Sequence, residues 1–178
     1  MQNDPCVLYD YIWSKDVLDH YREMCTDKNW RGQQVHGNGK LGNRQTYDIS
    51  KDYPNPDTLV TAYRNYLSSS VSNQLRILFR DGYSVDCKLS RYAKHQEYNW
   101  HCDTSVQISI GNPQWERIIS SITYLNDDYE GGHTEFEKFV ITPEAGKTVI
   151  FPSAFTYPHR GTPVIKGLKH ILVMHFWA

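Results

Sequence analysis

His101 and Asp103, within Tyr98-Asn99-Trp100-His101-Cys102-Asp103-Thr104, are the residues of this chain best suited to chemistry, and His159 and Lys169 follow far downstream. Two imidazoles and a carboxylate can occupy one face of an Fe(II) ion and leave the opposite face open. A lysine just beyond the last ligand can hold the far carboxylate of an acidic cosubstrate through a charge-assisted bond. This set of residue types points to an oxygenase.

His-x-Asp alone is a weak signal, and a surface His-Asp pair at a strand end has the same pattern. Strand context adds to it, because residues i and i+2 share a face. His101 and Asp103 can then meet one ion while Cys102 turns away. His159 is preferred to His133, His170 and His175 because of its neighbours. Lys169 shares its strand face with Ile171, Val173 and His175, whereas His170, Leu172, Met174 and Phe176 form the other. Both faces are largely apolar, so alternation leaves open which one surrounds a site. A lysine enclosed among apolar side chains needs an anion or loses its charge.

The elements that must position these residues divide the chain into a helical first part, 1–85, and a strand-rich core, 86–178. Val17, Leu18, Tyr21, Met24 and Cys25 make one helical face, with Ser14 as N-cap. A second helical stretch is expected from about 57 to 79, introduced by Pro54 and Pro56, with Leu59, Ala62, Tyr63, Tyr66 and Leu67 buried. Between them, residues 31–47 are polar and glycine-rich, a loop or irregular hairpin that could serve as a substrate lid. Arg31, His36, Lys40 and Arg44 would give that lid hydrogen-bond donors.

From Asp86 onward, eight short strands alternate with Gly, Pro and Asn turns: 87–92, 98–101, 106–110, 117–125, 133–137, 148–151, 159–163 and 167–176. The expectation is a β-rich α+β fold. Its core would be a double-stranded β-helix, or jelly roll, with the N-terminal helices packed outside. No linker divides the chain, so 1–178 is expected to form a single domain.

The composition narrows the function classes. The 178 residues carry 19 basic and 20 acidic side chains, a net charge of −1, which gives no basic surplus for nucleic acid. Aromatics make up 13%, including 13 Tyr and 5 Trp, which suits a β-rich core with polar-tipped rings near a pocket. Apolar runs such as Ile171–Met174 are too short to span a bilayer. The N-terminus lacks the pattern of a signal peptide, and four irregularly spaced cysteines read as free thiols in a reducing compartment. A cytoplasmic protein, monomeric or weakly dimeric, is expected.

The segment from Cys87 to Trp177 resembles the 2-oxoglutarate- and Fe(II)-dependent dioxygenases, in particular their prolyl 4-hydroxylase-like branch. The matches run in order along the chain. Arg91-Tyr92 and Gln96-Glu97-Tyr98 lead to His101-Cys102-Asp103. Arg117 opens a strand ending Ile122-Thr123-Tyr124-Leu125-Asn126. Gly131-Gly132-His133-Thr134-Glu135-Phe136 is similar to the family's Gly-Gly-Glu-Thr, with His133 in place of Glu. Gly146-Lys147-Thr148-Val149-Ile150-Phe151, then His159-Arg160-Gly161-Thr162-Pro163-Val164 and Gly167-Leu168-Lys169, complete the pattern.

The resemblance implies that His101, Asp103 and His159 hold Fe(II), with Lys169 paired to the distal carboxylate of 2-oxoglutarate. Tyr92, Tyr124 and Thr134 would donate hydroxyls to that cosubstrate. Tyr98, Arg117 and His175 would lie around the target side chain, and Trp115 could help clamp a peptide. O2 would be the oxidant, ascorbate the reductant, and succinate and CO2 the co-products. A peptidyl proline in a peptide or protein partner is the implied target, as in procollagen-proline 4-dioxygenases. His175 stands where these enzymes often carry Trp, a departure that bears on proline recognition. The alternatives are the same chemistry on another protein residue, a free amino acid or an alkylated nucleobase, or a non-catalytic jelly-roll binding module.

Overall fold

Helix boundaries follow the capping chemistry. The structure, a computed structural model, describes residues 4–26, 30–32, 44–49, 51–79, 82–107 and 115–178. After β1 (Leu8–Tyr11), α1 (Lys15–Met24) starts at Ser14, whose Oγ accepts from the Val17 N–H at 3.4 Å. β2 (Arg31–Gly32) and β3 (Gln45–Asp48) pair antiparallel, so the flanks of the expected lid form a hairpin. Residues 33–43, on which the lid expectation rests, lie outside the described residues.

The single helix expected near 57–79 is two: α2 (Pro56–Tyr66) and α3 (Ser69–Leu78). Asn55 caps α2 through Oδ1, and Pro56 supplies the preset φ of a first turn. Leu67 leaves the helix at ψ 152°, where Ser68, Ser69 and Ser70 begin. Serine hydroxyls compete for backbone groups and so favour a new N-terminus over a continuous helix. Tyr66, expected in the core, is exposed and donates its hydroxyl to the Asp4 carbonyl.

The remaining strands are β4 (Ser84–Tyr92), β5 (Tyr98–His101), β6 (Val106–Gln107), β7 (Trp115–Tyr124), β8 (Glu130–Gly131), β9 (Thr134–Phe136), β10 (Val140–Ile141), β11 (Lys147–Pro152), β12 (His159–Gly161), β13 (Val164–Lys166) and β14 (Lys169–Trp177). The large sheet runs β1-β11-β7-β14-β4-β3-β2, with β6 pairing β7 at one end. The small sheet runs β10-β9-β12-β5, and β13 pairs with β8. Every pairing is antiparallel. Each of the eight expected strand segments overlaps an observed strand, and the expected jelly roll with helices outside is the architecture seen.

β14 shows how one strand serves two cores. Leu172, Met174 and Phe176 join Leu18, Tyr21, Leu59, Val60 and Tyr63 from the helices. Ile171 and Val173 face the other way, with Ile122, Tyr124, Phe136, Val149 and Phe151 in the space between the sheets. The alternation therefore assigns the Lys169 face to the interior of the jelly roll and the His170 face to the helical layer.

Candidate metal and cosubstrate site

His101 on β5 and His159 on β12 are direct cross-strand partners, so their rings project from adjacent strands onto one face, 4.2 Å between centroids. Asp103 lies two residues past His101, just beyond the end of β5. Its Oδ1 is 3.3 Å from His101 Nε2 and its Oδ2 is 3.7 Å from His159 Nε2. One ligand atom from each of the three residues lies within 4.8 Å of the others, a spacing that could hold a metal ion. Cys102 turns away, its thiol directed at the Phe155 carbonyl.

Both imidazoles are oriented in the same way. His101 Nδ1 lies 2.7 Å from the Asn99 carbonyl, and His159 Nδ1 lies 3.1 Å from the Tyr157 carbonyl. A carbonyl only accepts, so each ring carries its proton on Nδ1 and turns the Nε2 lone pair to the shared centre. Burial pushes His159 down to about 4, which keeps it a neutral ligand at ordinary pH. Burial opposes ionisation of Asp103. The neighbouring His101, His175 and His159 rings outweigh it and hold the carboxyl well below the usual range. Two imidazoles and one carboxylate fit Fe(II) by ligand type.

These groups open onto a partly enclosed cavity. Lys169 is 3% exposed at its floor, on the first residue of β14 and opposite Tyr92 of β4. Its Nζ donates to the Gly132 carbonyl at 2.6 Å. Gly132 sits at φ +62°, and a Cβ there would meet Lys169 Cδ at 3.1 Å, so glycine lets the backbone approach this close. Burial, with the nearby Arg44 charge, pushes the lysine down to about 7. A bound anion would restore its charge.

The other expected site residues fall at different distances from this centre. Tyr92 lines the cavity and its hydroxyl accepts from Arg44 at 2.9 Å. Thr134 lines it too. Tyr124 is fully buried behind Thr134 and donates to its Oγ1 at 2.6 Å, so it orients that hydroxyl rather than facing the cavity itself. Tyr98, Arg117 and His175 all line the cavity. Tyr98 lies against the His101 ring, with the Arg44 guanidinium over the Tyr98 ring, 3.9 Å from its centre. Trp115 opens β7 and pairs with Gln107.

Three contributors escaped the sequence reading. Asp86 receives His175 Nδ1 at 2.7 Å on one oxygen, and Arg117 at 2.8 Å and Trp177 Nε1 at 3.0 Å on the other. Burial works against its charge, but the His175 bond and the adjoining cations keep the carboxyl below its ordinary range. Lys88 lines the cavity from the same face of β4. Arg44, expected only as a loop donor, is buried beside Tyr92. Asp86, Lys88, Ser90 and Tyr92 alternate along β4. The expected strand 87–92 already puts Lys88 on the Tyr92 face, and extending it back by one residue would have added Asp86.

Among the histidines set aside, His170 faces the helical layer against Trp30, and His133 is half-buried outside the cavity lining. No described helix is long and apolar enough to cross a membrane.

Comparison with known proteins agrees with this geometry. A "Putative prolyl 4-hydroxylase" of Acanthamoeba polyphaga mimivirus is 28% identical over 192 aligned positions, covering 98% of this chain and 74% of that protein. The crystal structure of a viral collagen prolyl hydroxylase from Paramecium bursaria Chlorella virus-1, in its 2OG complex, superposes with a TM-score of 0.67 at 22% identity, covering 97% of this chain and 95% of that one. A prolyl hydroxylase from Trichoplax adhaerens, in complex with a hypoxia inducible factor peptide fragment, gives 0.62 at 18% identity and covers 97% and 82%. The pattern of the 2OG-Fe(II) oxygenase superfamily matches residues 87–178. That stretch is more than half of the chain and carries every cavity-lining residue except Arg44. The protein therefore belongs to the 2OG-Fe(II) oxygenase superfamily, whose members use Fe(II), 2-oxoglutarate and O2.

Proposed function

We propose that the protein hydroxylates a prolyl side chain of a peptide or protein, with residues 1–178 acting as one catalytic domain. His101, Asp103 and His159 would hold Fe(II), and Lys169 would hold the distal carboxylate of 2-oxoglutarate. The observation that carries the assignment is the joint presence, in one cavity, of three converging ligand atoms and a buried lysine whose hydrogen-bond partner is a single carbonyl. The prolyl target is supported by the names of the relatives above, the mimivirus protein first among them.

The metal and cosubstrate, when bound, would supply the chemistry in which O2 gives one oxygen atom to 2-oxoglutarate, releasing succinate and CO2, and the other to a C–H bond of the target. The chain's own residues perform the positioning. Asn99 and Tyr157 carbonyls fix the two imidazoles. Lys169 gains an anion that returns its charge, and Thr134, held by Tyr124, offers a hydroxyl alongside it. Ile122, Ile171 and Val173 form the apolar wall that keeps water from the reacting atoms. The protein contributes binding, orientation and shielding, while the cofactors carry the hard chemistry. Ascorbate would act as reductant. The test is to incubate the protein with Fe(II), 2-oxoglutarate, ascorbate and proline-containing peptides, and follow succinate together with a +16 Da product. Absence of metal-dependent succinate formation would remove the assignment.

A further inference from the structure

Four cationic side chains line the cavity: Arg44, Lys88, Arg117 and Lys169. Three have partners. Lys169 meets the Gly132 carbonyl, Arg44 meets Tyr92, and Arg117 meets Asp86. Lys88 has no hydrogen bond or ion pair among the described residues. The acid nearest to it in sequence on that face, Asp86, already receives three donors on its two oxygens. Its ladder partners are Val173 on β14, which is apolar, and Asp48 on β3, which is exposed. Lys88 is half-buried in the cavity wall, and burial lowers its affinity for its proton, so an anion delivered to it would be held by a charge that has no partner among the described residues.

The charge balance leads to the same place. Asp86 already matches Arg117, and Fe(II) with Asp103 and Lys169 would match the 2-oxoglutarate dianion. The charge of Lys88 then remains in a partly enclosed cavity. A prolyl ring flanked by amides offers nothing to neutralise it.

We propose that Lys88, with Arg117 beside it, is a carboxylate anchor for the organic substrate. The molecule hydroxylated carries a carboxylate near the carbon that reacts. This deepens, and rests on, the oxygenase reading of the site. The carboxylate has two possible sources. One is the α-carboxylate of a free or C-terminal amino acid. The other is an aspartate or glutamate adjacent to the target residue within a peptide.

Matched probes separate these sources. N-acetyl-L-proline against its amide tests the first. A capped pentapeptide with Asp, Asn or Lys after the proline tests the second. Each is titrated calorimetrically, under nitrogen, into protein loaded with Fe(II) and 2-oxoglutarate, so that binding is read without turnover. In at least one arm the carboxylate probe should bind about tenfold or more tighter than its neutral twin, the size of a single charge-assisted contact. In Lys88→Gln that ratio should fall to near one, and in Lys88→Glu the Lys peptide should become the preferred peptide. Lys88→Arg, which keeps the charge, should keep most of the ratio and guards against a merely misfolded glutamine variant.

Equal binding of acid and amide, an undiminished ratio in Lys88→Gln, or no binding by any probe would overturn the anchor. Probe-free consumption of O2 with succinate release reports on the oxygenase reading by itself. If that is present while the acid and amide probes bind alike, the anchor fails and the oxygenase stands. If it is absent, the oxygenase reading fails.

Discussion

Each member of the triad contributes one ligand atom, and among the described residues no other histidine joins this cluster; His175 Nε2 lies 3.7 Å from Asp103, and its Nδ1 is held by Asp86. Alanine at His101, Asp103 or His159 should therefore abolish Fe(II)-dependent succinate formation and weaken metal binding in anaerobic titration. His170→Ala should retain both, since that ring packs against Trp30 in the helical layer. Lys169→Ala should weaken 2-oxoglutarate binding by about 2–5 kcal/mol, the usual cost of stranding a buried charge partner. The same lysine predicts a pH dependence. It titrates near 7 in the ligand-free protein, down from 10.5, and a carboxylate binds its protonated form. Affinity should be level below pH 7 and fall about tenfold per unit above it, with proton uptake on binding. The unfolded chain keeps its lysine proton up to 10.5, so this group alone makes the ligand-free fold more stable as pH rises from 7 to 10.5. Calorimetry at pH 6.5 and 8.5 in buffers of different ionisation enthalpy checks the uptake. The triad and Lys169 were legible because their residue types are distinctive. Asp86 and Lys88 were not, because a charged residue near a strand end reads as solvated until its face is known.

At the scale of the element, β14 places Lys169 and His175 on the cavity side by alternating with a second set of residues that anchor it to the helices. Leu172 is 1% exposed in the helical core. Leu172→Ala should cost about 2–5 kcal/mol in urea denaturation through the cavity it leaves. It should leave 2-oxoglutarate affinity unchanged, since Leu172 points away from the site. A matching loss of affinity would mean that the two cores are not separable across this strand. The long central strands were readable in sequence because their apolar content is high. β3, with Gln45, Thr46, Tyr47 and Asp48, was not, because a polar strand near a sheet edge shows no hydrophobic alternation. Nor was the break at Leu67. The apolar spacing of Leu59, Tyr63 and Leu67 continues smoothly to it, and only the three serines that follow signal a new start.

Across the whole molecule, the proposed metal ligands and Lys169 come from segments of two different sheets, which the core between them also joins. His101 and Asp103 come from β5 and its exit, His159 from β12, and Lys169 from the large sheet facing them. Fe(II) and 2-oxoglutarate bound together would link the small sheet to the large one through a site that exists only when both are folded. Ligands that bind the folded state alone stabilise it by RT ln(1 + [L]/Kd), about 2.7 kcal/mol at a hundredfold excess over Kd. For a chain of this size each kcal/mol moves the midpoint by roughly 2–4 °C. Saturation with Fe(II) and 2-oxoglutarate under nitrogen should thus raise Tm by about 5–10 °C per saturated ligand, and a chelator should reverse it. Asp103→Ala should lose the metal-dependent shift, and Lys169→Ala should keep that shift while losing the 2-oxoglutarate increment. If both variants shifted like the unmodified chain, the ligands would be stabilising the protein from somewhere other than this cavity.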